Sequence, residues 1–433
     1  MLRSAIVLAA LSMLASGAGA NELCPEPTVI VSLAAPSTPQ IVEDVASTAG
    51  VTIRNTFDSV FVGFTACADD EGINRLWADP RVRLIETDTR LTGVGFVSGV
   101  KSLDILDERE IANGSGFSYA RTGSGVHVYV LDSGIADHAD FDDVEVYRVS
   151  EQAILSNHAF SARYDGSNAA TLKFDESPKG HGTAVASVIA GSRVGVARGA
   201  ILHAVQVGGW SYFGVAESYL ASDIIRGIEW VIEHAERPAV INMSVGGEPN
   251  ALLDAATQAA IDAGITVVVA AGNENVDAST LSPARVQAAL TVGAINQNTL
   301  ARWVEVETGS GSNFGAVVDV FAPGDSISAA SSADRTATRL VSGTSFAAPH
   351  VTGAVAMLLE ESPSASPARI AQSLLNEACY PTCGEPPIGF SMLVLPITPS
   401  GCSRRAPHFL RRIPRTGVLF ASGTRAGRPT FRC

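Results

Sequence analysis

Short, wholly apolar segments alternate along most of the chain with longer segments whose apolar residues recur every three to four positions. The apolar segments between residues 126 and 322 are VHVYVL, ILHAVQV, AVINMSV, ITVVVAA, AALTVGAI and VVDVFA. Segments such as AESYLASDIIRGIEWVIEHAER and NALLDAATQAAIDAG lie between them and have helical spacing. Strands that are apolar on both faces and alternate with helices predict an α/β fold, in which helices cover both faces of a parallel sheet.

Residues 28–87 have a different pattern. TVIVSL, VTIRNT, SVFVGF and RVRLIET have the character of strands, and PQIVEDVASTA and DDEGINRLWAD that of helices. Their order, βαββαβ, predicts a separate small α+β domain of the ferredoxin-like type over residues 21–92. The Gly- and Ser-rich stretch 93–125 is predicted to be a connector and an irregular surface segment, and the main domain extends to residue 378.

The first twenty residues predict export. An arginine precedes an apolar run that ends in Ala18-Gly19-Ala20, which is the pattern of a secretory signal peptide with its cleavage site. A membrane anchor is the alternative, but the run is shorter than the roughly 20 apolar residues that a span needs. No later segment qualifies as a span, so we expect a secreted protein without a stable membrane span.

The six cysteines are confined to the two ends of the chain. Cys24 and Cys67 lie early, and Cys379, Cys383, Cys402 and Cys433 lie late. An oxidising compartment would allow one early pair and two late pairs, with three connectivities open for the late four. A metal site is a weaker interpretation, because the late spacing lacks the paired Cys-x-x-Cys ligands of common zinc sites.

The charge is distributed unevenly. The net charge is −14, yet residues 403–433 carry eight arginines and no acidic residue, so removing that +8 leaves −22 for residues 1–402. Such acidity argues against nucleic acid as a partner. The stretch 379–433 is therefore predicted to be a Cys-containing, Arg-rich extension, whether a surface-binding tail or an out-of-frame end of the gene.

Four polar residues stand in glycine-flanked motifs at predicted strand ends or helix starts. Asp132 follows VHVYVL, His181 opens a small-residue helix in GHGTAVASVIAG, Asn273 follows ITVVVAA, and Ser345 opens a helix in SGTSFAAPHV. Taken alone, Asp132 is better explained as a helix cap or turn residue, His181 as a structural histidine and Asn273 as a turn residue. Together they are specific, because a serine hydroxyl needs an imidazole to take its proton and the imidazole needs a carboxylate to orient it.

The chain order of these residues distinguishes between hydrolase folds. The order Asp, His, Ser differs from that of the α/β-hydrolases. Their Gly-x-Ser-x-Gly elbow is also absent, since Ala347 occupies its last position. An esterase of that other fold is therefore excluded.

The motifs LDSGI, GHGTAVASVIAG, AAGNEN and SGTSFAAPHV resemble those of the subtilisin-like serine proteases, most closely the proteinase K branch. This resemblance implies a secreted serine endopeptidase that acts on protein or peptide substrates as a monomer. It also implies a precursor that cuts itself near residues 92–99, with residues 21–92 as an inhibitor-type propeptide. A catalytically inactive, binding member of the family is the alternative, although no triad residue is missing.

The resemblance also assigns residues. It implies Ser345 as nucleophile, His181 as general base, Asp132 as its orienting carboxylate and Asn273 as an oxyanion donor. The walls of the primary specificity pocket would be Ser244, Val245 and Gly246 on one side, and Ala270, Ala271 and Gly272 on the other. A structural calcium ion would bind Asp319 and carbonyls near Gln287 and Ala289, the alternative being a strand-end aspartate in a turn. The long stretch between Asp132 and His181 predicts an insertion beside the cleft.

Overall fold

The computed structural model describes residues 28–34, 38–92, 121–149, 161–163, 180–210 and 218–377. The predicted signal peptide, the processing segment after residue 92, most of the predicted insertion and the C-terminal extension lie outside these residues. Cys67 is disulfide-bonded. The other five cysteines lie outside the described residues.

The N-terminal module is an antiparallel sheet of strand order β2-β3-β1-β4 that packs against two helices through an apolar core of its own. Its elements are β1 (Thr28–Leu33), α1 (Pro39–Ala49), β2 (Thr52–Phe57), β3 (Gly63–Cys67), α2 (Asp70–Ala78) and β4 (Val82–Thr87). The predicted βαββαβ order is confirmed. The predicted bounds of the third strand, residues 59–64, were wrong, because residues 59–62 form a bend and the strand spans Gly63–Cys67.

Local sequence explains the ends of α1. The Thr38 hydroxyl accepts a hydrogen bond from the backbone of Ile41, and Pro39 occupies the first turn, where its missing N–H costs nothing. Gly50 ends the helix in the left-handed conformation, with φ 68°.

The remaining strands form the main sheet and two small sheets. They are β5 (Arg90–Thr92), β6 (His127–Asp132), β7 (Val146–Val149), β8 (Ser161–Arg163), β9 (Ile201–Gln206), β10 (Gly208–Trp210), β11 (Ser218–Leu220), β12 (Ala239–Met243), β13 (Thr266–Ala270), β14 (Leu290–Asn296), β15 (Val320–Asp325), β16 (Ile327–Ala330) and β17 (Thr338–Val341). The main sheet has the order β15-β14-β13-β12-β6-β9-β7-β8, and only the edge strand β8 runs antiparallel to its neighbour.

Helices cover both faces of this sheet, as predicted. They are α3 (His181–Ala190), α4 (Ala221–His234), α5 (Ala251–Asp262), α6 (Thr344–Glu361) and α7 (Pro367–Glu377). Val128 and Val130 of β6 join the apolar cluster beneath α3, α6 and α7, whereas Tyr129 and Leu131 join the cluster beneath α4 and α5. Alternate residues of one strand therefore contribute to two cores, which explains why the strands are apolar throughout.

The start of α4 differs from the prediction. The helical segment read from the sequence included residues 216–220, but the helix begins at Ala221. Ser218–Leu220 instead form β11, the central strand of the small sheet β10-β11-β5. A long-range pairing with the N-terminal module thus overrides the local helical pattern. Within the described ranges, no helix combines the length and apolar content needed to cross a bilayer.

Candidate active site

The four polar residues predicted to carry the chemistry lie at element ends along the carboxyl edge of the main sheet. Asp132 is the last residue of β6, His181 is the first residue of α3, and Ser345 is the second residue of α6. Asn273 follows the end of β13 at Ala270. All four side chains are buried. The carboxyl edge of a parallel sheet is where such folds bind their ligands.

Asp132 and His181 are in direct contact. Nδ1 of His181 lies 2.8 Å from Oδ1 and 3.0 Å from Oδ2 of Asp132, and Oδ1 also accepts the backbone N–H of Ser133 at 2.8 Å. A carboxylate at Nδ1 fixes the tautomer of the imidazole, so that Nε2 is the nitrogen that can accept a proton.

The glycine after the histidine permits this contact. A Cβ atom at Gly182 would lie 2.2 Å from the carbonyl oxygen of Gly134 and 3.1 Å from the Cβ of Asp132. Only glycine allows α3 to start this close to the turn after β6.

Ser345 lies at the start of α6, and the residue after it contacts this pair. The ring of Phe346, the next residue, packs 5.4 Å from the His181 ring between centroids. The hydroxyl of Ser345 donates to the backbone carbonyl of Ser244 at 2.9 Å. In turn, the Ser244 hydroxyl donates to the carbonyl of Ser345 at 2.7 Å.

The carboxamide of Asn273 is oriented by Thr344. Its Oδ1 accepts the backbone N–H of Thr344 at 2.8 Å and the hydroxyl of Thr344 at 3.0 Å. Because the oxygen is turned toward Thr344, the NH2 group points away from that residue. Asn313 supports the same loop, since its side chain donates to the carbonyl of Ala271 at 2.9 Å and accepts the N–H of Val276 at 2.9 Å. The sequence did not single out Thr344 or Asn313, because neither stands at a predicted strand end.

The two predicted pocket walls are neighbours in space. Ser244, Val245 and Gly246 follow β12, whereas Ala271 and Gly272 follow Ala270 at the end of β13, and these strands pair in parallel. Gly272 has φ 95°, and a Cβ there would lie 2.4 Å from Nδ2 of Asn313.

Tyr219 is a further buried residue at the site that sequence reasoning missed. Its hydroxyl donates to Oδ1 of Asp132 at 3.0 Å. The residue belongs to β11, which the sequence pattern had assigned to a helix.

Asp319 contacts the start of β14, and calcium at this position stays a prediction. Oδ2 of Asp319 accepts the backbone N–H of Thr291 at 2.9 Å, near the start of β14, and Gln287 and Ala289 immediately precede that strand. In the described part of the chain, no three His, Cys, Asp or Glu side chains are grouped so that they could hold a metal. A calcium ion at Asp319 would therefore depend on backbone carbonyl oxygens, which are ligands of the right hard type.

His350 packs on α6, as expected for a structural histidine. Its Nδ1 lies 2.7 Å from the backbone carbonyl of Phe346, and burial lowers its pKa to about 4. It is therefore a neutral residue of the core.

A serine at a helix start beside a buried Asp–His pair is the arrangement of a serine hydrolase. The chain belongs to the subtilase family, whose model matches residues 123–413. It is thus a serine-type peptidase.

Known relatives agree with this assignment. The chain is 39% identical over 334 residues to an extracellular serine proteinase of Thermus sp. strain Rt41A, covering 76% of this chain and 74% of that protein. The crystal structure of a cold adapted subtilisin-like serine proteinase matches with a TM-score of 0.55 and 32% identity, over 68% of this chain and 97% of that one. Fervidolysin from Fervidobacterium pennivorans shares the fold, with a TM-score of 0.61 at 21% identity over 83% of this chain and 58% of its own.

Proposed function

We propose that this protein is a secreted serine endopeptidase that is made as a self-cleaving precursor. Ser345 is the nucleophile, His181 the general base and Asp132 the carboxylate that orients it. The observation that carries this proposal is the contact of His181 Nδ1 with both carboxylate oxygens of Asp132, at 2.8 and 3.0 Å, beside the helix whose second residue is Ser345.

The chemistry follows from these positions. His181 Nε2 takes the proton of Ser345 as Oγ attacks the substrate carbonyl, and the imidazolium that forms is stabilised by Asp132. The side-chain amide of Asn273 and the backbone N–H of Ser345 donate to the oxyanion, which is where negative charge develops. His181 then protonates the leaving amine, and water hydrolyses the acyl-enzyme by the same steps.

The substrate is an extended peptide with a large apolar side chain before the cut bond. The walls after β12 and β13 carry only small or aliphatic side chains, so an aromatic or large aliphatic group fits between them. Strand β11 becomes an edge strand once β5 has left it, and pairing with an edge strand is a general mode of peptide binding.

The N-terminal module supports the precursor part of the proposal. Strand β5, which follows the last strand of the module's own sheet, pairs antiparallel with β11, and Leu91 lies opposite Tyr219. The end of the module therefore occupies the strand position that a substrate would take. Cleavage soon after Thr92, around residues 92–99, would leave the module as an intramolecular inhibitor.

Side-chain carboxylates join the module to two helices of the main domain. Asp88 accepts the backbone N–H and the hydroxyl of Ser222 at the start of α4, at 3.0 and 2.6 Å. Glu86 accepts the N–H groups of Ala251 and Leu252 at the start of α5, both at 3.0 Å. Negative charge at a helix N-terminus is stabilising, so these contacts favour docking.

Glu229 makes the reciprocal contact from α4 to the module. Its Oε1 accepts the backbone N–H groups of Asp58 and Ser59 at 3.2 Å and of Val60 at 3.3 Å. Ile30 and Phe57 of the module also belong to the apolar cluster under α4 and α5. The docking surface thus combines apolar burial with carboxylate contacts in both directions.

Export is supported by three observations. Residues 1–20 have the pattern of a signal peptide, Cys67 is disulfide-bonded, and the Thermus relative is named as extracellular. Disulfides persist in oxidising compartments.

The Ser345→Ala variant tests the proposal. It should accumulate as a folded, signal-free precursor that retains the N-terminal module, because the nucleophile is missing while the fold remains. The exposed serine variant Ser364→Ala is the control and should mature normally and hydrolyse casein, with that activity abolished by a serine-directed sulfonyl fluoride. Intact-mass analysis in a protease-deficient host decides the question. Normal maturation of Ser345→Ala would exclude self-cleavage by this serine.

A further inference from the structure

Oδ1 of Asp132 accepts two hydrogen bonds besides the one from His181. Oδ1 of Asp132 accepts from His181 Nδ1 at 2.8 Å, from the Ser133 N–H at 2.8 Å and from the Tyr219 hydroxyl at 3.0 Å. An ionised carboxylate only accepts, so Tyr219 is the donor in its contact. Hydrogen bonds to a charged acceptor are stronger than neutral ones, and this one lies in a buried, low-dielectric place.

The hydrogen bond from the Tyr219 hydroxyl draws negative charge away from Oδ1 of Asp132, so less of that charge acts on His181. A carboxylate that is already hydrogen-bonded is a weaker partner for a developing imidazolium. The hydroxyl also restrains the carboxylate in rotation, because it approaches from β11 whereas Ser133 approaches from the turn after β6. Both effects reach the reaction only through Asp132.

Packing alone does not explain a tyrosine at this position. Tyr219 is fully buried, and a phenylalanine would fill the same volume without a hydroxyl that must find a partner. The backbone of the same residue lies opposite Leu91 of β5. Tyr219 thus connects the strand that pairs with a peptide to the carboxylate that orients the general base.

We propose that Tyr219 is a positioning residue of the peptidase: its hydroxyl holds Asp132 in place and limits how strongly the carboxylate stabilises the His181 imidazolium. The inference rests on the triad proposed above, and it adds a fourth side chain to that triad.

Tyr219→Phe tests the role in the mature enzyme, with Tyr129→Phe as the matched control. Tyr129 is also buried in the cluster under α4 and α5, and its hydroxyl accepts the Glu236 N–H at 2.9 Å without contacting Asp132. On a short peptide substrate, Tyr219→Phe should lower kcat by about tenfold with KM changed less than about twofold. The acid limb of kcat/KM should move to higher pH, since more charge remains on Oδ1 to stabilise the imidazolium. Tyr129→Phe should change neither kcat nor the pH profile.

A double-mutant cycle shows whether Tyr219 acts through Asp132. In an Asp132→Ala background, which should itself lose most of kcat, adding Tyr219→Phe should cost nothing further. An additive loss, a pH profile like that of Tyr129→Phe, or a change in KM alone would overturn the positioning role. If Asp132→Ala retained full kcat, the triad itself would be wrong, and the role of Tyr219 with it.

A second measurement avoids any folding defect of Tyr219→Phe. Replacing tyrosine by 3-fluorotyrosine throughout the otherwise unchanged enzyme makes the hydroxyl a stronger donor. The acid limb should then move to lower pH, which is opposite to the effect of Tyr219→Phe. The Tyr129→Phe enzyme labelled in the same way should shift equally, and the absence of any shift in either labelled enzyme would refute the proposal.

Discussion

Ser345 and Ser244 are joined by two reciprocal hydrogen bonds, in which each hydroxyl donates to the backbone carbonyl of the other residue, at 2.9 Å from Ser345 and 2.7 Å from Ser244. The start of α6 is thereby attached to the pocket wall that follows β12. In the proposed mechanism, transfer of the Ser345 proton to His181 requires that this hydroxyl leave the Ser244 carbonyl. The wall proposed to receive the substrate side chain therefore also holds the proposed nucleophile.

Ser244→Ala should weaken both functions of this wall. It removes the donor to Ser345 and leaves the side-chain amide of buried Asn242 without the Ser244 hydroxyl, its acceptor at 3.0 Å. A buried donor left unsatisfied costs about 1–3 kcal/mol in free energy of unfolding. Urea unfolding in the Ser345→Ala background should show this loss, and kcat of the otherwise intact enzyme should fall several-fold. Ser364→Ala is the exposed control, and equal behaviour of the two variants would contradict the prediction.

Asn273→Ala should slow maturation and turnover without preventing either. The oxyanion loses one donor while the nucleophile and base remain, and loss of such a donor lowers kcat by about 10²–10³ in subtilisin, a relative of this protein. Thr344→Val tests the orientation of the same amide, because it removes the hydroxyl that donates to Asn273 Oδ1 at 3.0 Å. We expect a smaller loss in kcat than for Asn273→Ala. Maturation time courses and kcat measure both, and full activity of Asn273→Ala would exclude its role.

The parts of the site that could be predicted are those that local pattern determines. Asp132 and Asn273 stand at the ends of apolar strands, and the carboxyl ends of parallel strands meet at one edge of the sheet. The pocket walls are assigned only by the family resemblance. His181 and Ser345 open helices after glycines, which the sequence also displays.

The contacts that could not be predicted join elements far apart in sequence. Tyr219 stands within a segment of helical spacing, and only its pairing with β5 makes it a strand residue that faces Asp132. Glu229 is a charged residue, a type that is mostly exposed, but it is buried where its carboxylate accepts the backbone N–H groups of residues 58–60. The spacing of apolar residues within one element indicates which face of that element is buried. It carries no information on a second module that docks against it.

Calcium should stabilise the protein through Asp319. An ion that binds only the native state raises the melting temperature with the logarithm of its concentration. Asp319→Asn should remove most of this response while keeping an oxygen for the Thr291 N–H, which Asp319 now accepts at 2.9 Å. Melting curves in calcium and in chelator measure the effect, with Asp262→Asn as the exposed control. An unchanged calcium response in Asp319→Asn would exclude this position as the site.

His203 should make the fold sensitive to acid. Its ring stacks on those of Tyr129 and Tyr147, at 4.3 and 5.0 Å, and burial, aided by the charge of His127, lowers its pKa to about 3. In the unfolded chain His203 takes up a proton near pH 6.5. The contribution of the buried neutral ring to the free energy of unfolding is therefore complete above that pH. It is lost as the pH falls toward 3, by up to about 1.4 kcal/mol per unit. Unfolding of the Ser345→Ala precursor against pH should be flatter in His203→Phe and unchanged in the half-buried control His234→Phe. Equal slopes in all three would contradict the prediction.

Ionisation of Glu229 should weaken the docking of the N-terminal module as the pH rises. Burial raises the pKa of Glu229 to about 7, against the opposing effect of the Val60 and Ser59 N–H groups. A carboxyl with a raised pKa in the folded state contributes stability that is complete below about pH 4.5, its ordinary range, and lost as the pH rises through 7.

Glu229→Gln measures this contribution, because glutamine keeps an acceptor for those N–H groups and does not ionise. In the Ser345→Ala precursor, the variant should gain stability relative to the parent between pH 4.5 and 8, by at most about 3 kcal/mol. The neighbouring exposed contact of Glu233 with the Ser59 hydroxyl supplies the control. Glu233→Gln should follow the parent at every pH, since an exposed contact contributes little. Above pH 7 the module should therefore separate from the main domain more readily in the parent than in Glu229→Gln. Limited proteolysis of the two precursors would detect this difference. Parallel stability curves for Glu229→Gln and the parent would show that this carboxylate does not govern docking.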